Sequence, residues 1–178
     1  GGTIAKAAAE GHRVVLVVAT RGEHGEVAEG ALAEGEQLGI RRVAETFASA
    51  VGALLPEGAI VVDEGNTAGL FVSGFTAGAP RHDWLCLPGG AIGYGMPVAT
   101  GAAIAAPGRR VRNLQADGSA MYTIKSLWTQ VREGLDVTTV ILNNQSYAIL
   151  NLELTRVGAE PVPRALEMLD LANPTLDF

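Results

Sequence analysis

Strand-like and helix-like segments alternate along most of this 178-residue sequence, and its clearest strand candidates are Val-rich or β-branched almost throughout, as buried parallel strands are. Glycine and proline mark many of the joins. Together these observations predict an α/β fold of three layers, a mostly parallel sheet with helices on both faces.

The elements follow in order. Residues 3–10, TIAKAAAE, are good helix formers stopped by Gly11, and HRVVLVVAT at 12–20 reads as a buried strand. After a Gly/Glu loop, residues 31–55 carry a helical apolar stripe of Leu38, Val43, Phe47, Val51, Leu54 and Leu55. PEGAIVVDE at 56–64 is a turn and a short strand, and DWLCL at 83–87 is a further strand candidate. A helix over 96–106 has Pro97 in its first turn, where proline is tolerated, and Pro107-Gly108 just past its end. RRVRNLQA at 109–116 is a strand. The helix predicted over 119–133 puts Met121, Ile124, Leu127, Trp128 and Val131 on one face and stops at Gly134. VTTVILNN at 137–144 closes the series as the most strongly β-branched strand.

Composition narrows the function classes. With 48% hydrophobic residues the chain can form one domain that buries roughly 70% of its unfolded surface. A formal net charge of −6 without a basic run argues against a nucleic-acid partner. No stretch approaches the roughly 20 apolar residues of a membrane span, and no secretory leader is evident. The single cysteine, Cys86, excludes an internal disulfide and a cysteine-rich zinc site, so a cytoplasmic location is expected. The 23 glycines far exceed the roughly 7% of average proteins, which points to backbone-shaping work. The sequence has no initiator Met and ends on LDLANPTLDF without a closing helix or strand signal, so it reads as a piece of something longer.

In open α/β sheets ligands gather at the carboxyl ends of strands, and three strand ends here are polar. Asp63, Glu64, Asn66 and Thr67 follow one; Asp117, Gly118 and Ser119 the next; Asn143 and Asn144 the last. Taken singly, Asp-Gly-Ser is a common turn and helix cap. Taken together, the corner has backbone donors at a helix start, which favour a phosphate, beside the Asp117 carboxylate and the Asn144 amide. A hard cation such as Mg²⁺ seeks about six oxygens, a few from protein and the rest from phosphate and water. Asp117 would then hold a metal that holds a diphosphate. A nicotinamide site is not expected, because no Gly-x-Gly-x-x-Gly occurs.

Asp117-Gly118 and Asn143-Asn144, with Asp117 and Asn144 27 residues apart, resemble the signature of thiamine diphosphate-dependent enzymes, Gly-Asp-Gly followed at similar distance by Asn-Asn. GGAIGYGMP at 89–97 resembles the segment that holds the aminopyrimidine half of that cofactor in the group similar to acetolactate synthase large subunits and benzoylformate decarboxylases. The resemblance spans about residues 47–178 and departs from the pattern at Ala116, where the signature has Gly. It implies that the Asp117 and Asn144 side chains and the Ser146 carbonyl hold Mg²⁺. Gly118 and Ser119, with Asn66 and Thr67, would meet the diphosphate, the Gly90 carbonyl the exocyclic amine, and Ile92 the fold of the bent cofactor. The implied chemistry is decarboxylation of a 2-oxo acid and carboligation, a transferase or lyase activity, with homo-oligomers in the parent family. It also implies that no catalytic residue lies in this chain. The glutamate that activates the cofactor belongs to a pyrimidine-binding domain, usually of a second subunit, and no segment here resembles one.

Residues 1–45 resemble the start of zinc-dependent N-acetylglucosaminyl (mycothiol-type) deacetylases, just past their His-Pro-Asp-Asp motif. None of His12, His24 and His82 has ligand-like spacing to another histidine. The expected organisation is therefore a deacetylase-like α/β fragment at 1–45 and an incomplete thiamine diphosphate-binding domain at 46–178, chimeric in character. The alternatives are a deacetylase fragment and an inert α/β fragment. The sequence does not name the 2-oxo acid.

Overall fold

The computed structural model describes the backbone of residues 14–20 and the whole of residues 45–159 and 162–178. The expected helix at 3–10 and the first part of that at 31–55 lie outside the described residues.

Among the described residues five strands form one sheet in the order β1-β5-β4-β2-β3, all parallel: β1 Val14–Thr20, β2 Ala59–Glu64, β3 His82–Cys86, β4 Val111–Ala116 and β5 Val137–Asn143. Each falls within two residues of its expected position. β1 pairs with β5, Val14 opposite Val137 through Thr20 opposite Asn143. The strand expected at 12–20 thus joins the sheet at its edge as a parallel neighbour of β5.

The middle strands are buried on both faces, which is why they lack simple alternation. On one face Ala59, Val61 and Leu114 pack with Ala48 and Leu55, contributed by α1 (residues 45–54) and the turn after it, and with Val72. On the other, Ile60, Val62, Val111 and Val137 pack against Ala99 and Ala103 of α4 (Gly95–Ala105). This is the expected three-layer arrangement. Between β2 and β3 lie two single helical turns, α2 (Asn66–Gly69) and α3 (Val72–Phe75), which periodicity is too short to reveal.

Two expectations about packing fail. The helix expected at 119–133 is two helices, α5 (Asp117–Thr123) and α6 (Ser126–Arg132), separated by a turn at Ile124-Lys125. The buried positions are Ala120, Leu127 and Gln130, whereas Met121, Ile124 and Trp128 of the expected stripe are 45%, 36% and 54% exposed. Leu54 is likewise 81% exposed, because only one of the adjacent leucines ending α1 can face the sheet and Leu55 does so. After β5 the chain forms α7 (Ala148–Arg156) and α8 (Pro163–Glu167), then returns to the strand ends through a bridge between Ser146 and Asp170. The tail that carries no closing signal in the sequence is therefore docked, with Phe178 against the cluster of Met96, Ala120, Leu127 and Ile141.

Candidate active site

From β2 the chain moves outward to β3, then crosses back to β4 on the opposite side of β2. Connections leaving neighbouring strands in opposite directions open a crevice at their carboxyl ends, and here it lies between β2 and β4. A cleft of about 290 Å³, open to solvent, occupies this place. Asn66 and Thr67 enter it from the end of β2, Asp117, Gly118 and Ser119 from the end of β4, and Asn144 and Ser146 from the end of β5. Ile92 reaches it from the Gly-rich loop. Eight of the nine residues named from sequence thus line one cleft. The ninth, Gly90, does not: it is exposed, with φ at 72° and open space around it.

Asp117 is the most informative of them. It is the first residue of α5 and 1% exposed. Its Oδ2 accepts from the Gln145 backbone N–H at 2.7 Å. Burial raises the Asp117 pKa, opposed by hydrogen bonds from the backbone of Gly118, Gln145, Asp117 itself and Asn144. Its Oδ1 is buried without a partner. A buried orphan acceptor on a carboxylate costs stability unless something else occupies it, and a cation in the cleft would do so. The opposite wall is shaped for the purpose. Asn143 Oδ1 accepts from Gln145 N and Asn144 Oδ1 from Ser146 N, so two successive Asn side chains brace the turn that presents Gln145 to Asp117. Gln145 adopts φ 56°, a left-handed conformation unusual outside glycine, and Asn66 across the cleft adopts φ 50°. Asn66 lines the cleft and Gln145 adjoins its lining residues Asn144 and Ser146, and strain of this kind accumulates where function demands it.

Gly118 is required by packing. A Cβ there would lie 2.5 and 2.7 Å from Cε1 and Cδ1 of Tyr147, so the tyrosine ring lies directly on the helix start and walls the cleft. Ser119 is turned inward: its hydroxyl accepts from Gln115 Nε2 at 2.7 Å and donates to the Ala116 carbonyl at 3.1 Å. What Ser119 can offer a ligand is its backbone N–H. The donor set is thus one carboxylate oxygen, amide and carbonyl oxygens, and helix-start N–H groups, which suits a hard cation bridging to a phosphate. Among the described residues no cluster of three His, Cys, Asp or Glu forms another metal site.

Sequence reasoning did not find the anchor behind this cleft. Glu64, at the end of β2, is 1% exposed and accepts from Gly93 N, Tyr94 N and Gly95 N at 2.5, 3.1 and 2.7 Å, and from Gln115 Nε2 at 2.7 Å. It faces Gln115 because the two are register partners on β2 and β4. A Cβ on Gly95 would strike Gln115 Oε1, Asn113 Oδ1 and Glu64 Oε2, so only glycine lets α4 begin there. The available signal was a glutamine inside an otherwise strand-like run, opposite a carboxylate at another strand's end. Tyr147 was missed too; its signal was an aromatic residue directly after the polar Asn-Asn turn.

Comparison with known proteins agrees with this geometry. Residues 63–173 match the family described as thiamine pyrophosphate enzyme, C-terminal TPP binding domain. IlvX of Mycobacterium tuberculosis, whose name describes an acetolactate synthase large subunit, is 65% identical over 133 residues, 74% of this chain and 26% of that protein. An alpha-keto-acid decarboxylase of Mycobacterium avium is 47% identical over 60 residues, 34% of this chain and 11% of that one. Among solved structures, the thiamine diphosphate-dependent 4-hydroxybenzoylformate decarboxylase of Rhodococcus jostii RHA1 superposes with a TM-score of 0.61 at 31% identity, covering 75% of this chain and 24% of that chain. Benzoylformate decarboxylase from Polynucleobacter necessarius shares the fold, with a TM-score of 0.62 at 24% identity over 73% of this chain and 24% of its own. The chain spans about a quarter of the length of IlvX and of these two solved structures. Neither the family match nor these relatives support the deacetylase alternative. Among the described residues no helix is long and apolar enough to cross a membrane. With most of its length matched, and with the polar ends of β2, β4 and β5 converging on one cleft, the chain belongs to the thiamine pyrophosphate enzymes, as a C-terminal cofactor-binding domain of that family.

Proposed function

We propose that this chain binds thiamine diphosphate through Mg²⁺, as the cofactor-binding portion of an acetolactate synthase-like enzyme that decarboxylates a 2-oxo acid and ligates the product. The observation that carries the reading is the buried, unpartnered Asp117 Oδ1 at the head of α5 in the cleft. Asp117, the Asn144 amide oxygen and the Ser146 carbonyl would hold the cation. The N–H groups of Gly118 and Ser119, with Asn66 and Thr67, would take the diphosphate, and Ile92 the aminopyrimidine half. When bound, the cofactor supplies the electron sink that decarboxylation requires. The chain's own residues bind and orient it.

Turnover is assigned to an assembly. Among the described residues Asp117 is the only carboxylate lining the cleft, and Glu64 is committed to the amides of Gly93 to Gly95, so the activating glutamate would come from a pyrimidine-binding domain, of a second subunit in a homo-oligomer. The exposed apolar residues Met121 and Tyr122, on the helix that Asp117 opens, support a partner on this side. The same proposal keeps a boundary near residue 46, with the preceding deacetylase-like segment lending β1 to the sheet, and a cytoplasmic setting.

Calorimetric titration of the chain with thiamine diphosphate and Mg²⁺ tests the reading. Asp117→Ala removes a direct ligand, so affinity should fall by more than the roughly 10–100-fold typical of losing an outer partner of a metal ligand. Unchanged binding in that variant would place the metal elsewhere. Incubation of the chain alone with pyruvate or benzoylformate should release no carbon dioxide above the rate with free cofactor.

A further inference from the structure

The segment that carries Ile92 into the cleft is built to be loose. Gly89, Gly90 and Gly93 all adopt positive φ, at 63°, 72° and 91°, and Gly89, Gly90 and Ala91 are exposed. Such a run has high conformational entropy when unheld. Its order comes from Gly93, which is gripped on both of its peptide groups. The Gly93 N–H donates to Glu64 Oε1 at 2.5 Å, and the Gly93 carbonyl accepts from Thr123 Oγ1 of α5 at 3.1 Å. Between them a Cβ on Gly93 would meet Tyr122 Cβ at 3.0 Å, so the loop sits directly on α5. Glu64 reaches further: Oε2 accepts from Gly95 N and from Gln115 Nε2, and the same Gln115 nitrogen donates to Ser119 Oγ. A continuous set of hydrogen bonds therefore joins the loop bearing Ile92 to the helix start bearing Asp117, Gly118 and Ser119.

We propose that Glu64 and Thr123 are positioning residues which clamp Gly93 and so fix Ile92 relative to the Asp117 corner, letting the site recognise the ring-bearing half of its cofactor separately from the diphosphate. The proposal rests on the thiamine diphosphate reading above. Neither residue needs to touch the ligand. Glu64 is suited to the task because an ionised carboxylate only accepts, and each of its oxygens faces two donors. In Glu64→Gln the new NH₂ opposes a pair of N–H donors whichever way the amide turns. Thr123→Val removes only the grip on the carbonyl, at a half-buried side chain, and keeps the shape.

Two measurements on the full chain decide the matter. In calorimetry, both variants should bind thiamine diphosphate with Mg²⁺ about tenfold or more weakly, as expected for losing a hydrogen bond to a charged or constrained group, while inorganic diphosphate with Mg²⁺ binds within about twofold of the parent. In amide exchange without ligand, residues 93–95 should exchange about tenfold faster or more in each variant while β2 and β4 stay protected. Thr123→Val carries both readouts alone if Glu64→Gln does not fold. Equal weakening toward both ligands, or no weakening toward either, overturns the ring-selective role. Unchanged exchange at 93–95 overturns the clamp whatever the ligands do. A parent that binds inorganic diphosphate but gains nothing from the thiamine rings sinks the cofactor reading, and with it the selectivity, while exchange still reports on the clamp.

Discussion

Gly118→Ala tests the geometry of the cleft wall with the smallest possible change. In a solvent-exposed helix interior the substitution would stabilise by about 1 kcal/mol, because alanine loses less backbone entropy than glycine. Here the added methyl would lie 2.5 Å from Tyr147 Cε1, 2.7 Å from its Cδ1 and 3.1 Å from Leu171 Cδ1. Carbon atoms rest about 3.5–4.0 Å apart, so the ring must retreat by roughly 1 Å. It has little freedom to do so: Tyr147 N–H is held by the Leu169 carbonyl at 2.9 Å, and Gln145 beside it is tied to Leu171 and Asp117. Overpacking of this kind costs about 1–3 kcal/mol, so the net expectation is destabilisation by about 1–2 kcal/mol. In a Tyr147→Ala background the obstacle is gone and the helical preference reappears, so the same substitution should become neutral or stabilising by up to about 1 kcal/mol. The coupling between the two sites is then about 2 kcal/mol. Urea unfolding of the four proteins, compared at constant m-value, measures it. A Gly118→Ala protein as stable as the parent, or an identical cost with and without the Tyr147 ring, would refute the packing argument.

Three further outcomes are expected. Burial raises the Asp63 pKa above its ordinary value, against hydrogen bonds from Gly65 N and Trp84, so its ionised form is stabilised less in the folded than in the unfolded chain. Stability is then lost as pH rises from the unfolded pKa through the raised folded one, and Asp63→Asn should exceed the parent in stability at pH 7, with the gap closing toward pH 4 in urea titrations; a pH-independent gap contradicts this. Gln130 donates to Thr100 Oγ1 at 3.0 Å and the Met96 carbonyl at 3.3 Å but leaves its own oxygen buried without a partner. Gln130→Leu removes that orphan along with the bonds and should cost no more than about 1 kcal/mol, whereas Gln130→Ala adds a cavity and should cost about 2 kcal/mol or more by thermal or urea unfolding. Gln145→Gly relieves a left-handed residue whose role at the site is carried by its backbone, and should raise stability by up to about 1 kcal/mol without weakening Mg²⁺ binding in calorimetry; a loss of binding would assign the Gln145 side chain a part.

The sheet was legible because its strands announce themselves through uninterrupted β-branched runs such as Val137 to Ile141, and because a parallel sheet needs the helical crossovers that the sequence also displays. The cleft residues were legible because they sit at strand ends, where polar side chains have no packing reason to be. What could not be read was orientation. The buried face of α5 and α6 runs through Ala120, Leu127 and Gln130, leaving Met121 and Trp128 outward, and a glutamine on the inner face is a polar residue that an apolar stripe does not count. Gly90 was placed by its motif, but its structural company is solvent, while Gly93, three positions on, is the glycine that the fold grips. Glu64 was seen only as a carboxylate near the site, since its four donors come from segments about 29 to 51 residues away in sequence and become neighbours only through the register of β2 with β4.

Two acids at this corner, equally inaccessible, show how environment separates roles that sequence leaves equivalent. Glu64 and Asp117 each stand at the carboxyl end of a central strand and each is 1% exposed. Glu64 has both oxygens engaged, each by two donors, and needs nothing further; adding a cation would take it from donors already in place. Asp117 has one oxygen fixed by Gln145 and the other buried, unpartnered and beside the cleft. A carboxylate so arranged is oriented before any ligand arrives and is short of a positive charge, the two properties a metal ligand requires. The saturated acid holds the loop and the unsaturated one faces the cleft, and exchanging the two residue types between the strands could not exchange their roles, because the donors belong to the backbone of Gly93 to Gly95 and of Gln145 rather than to the acids themselves.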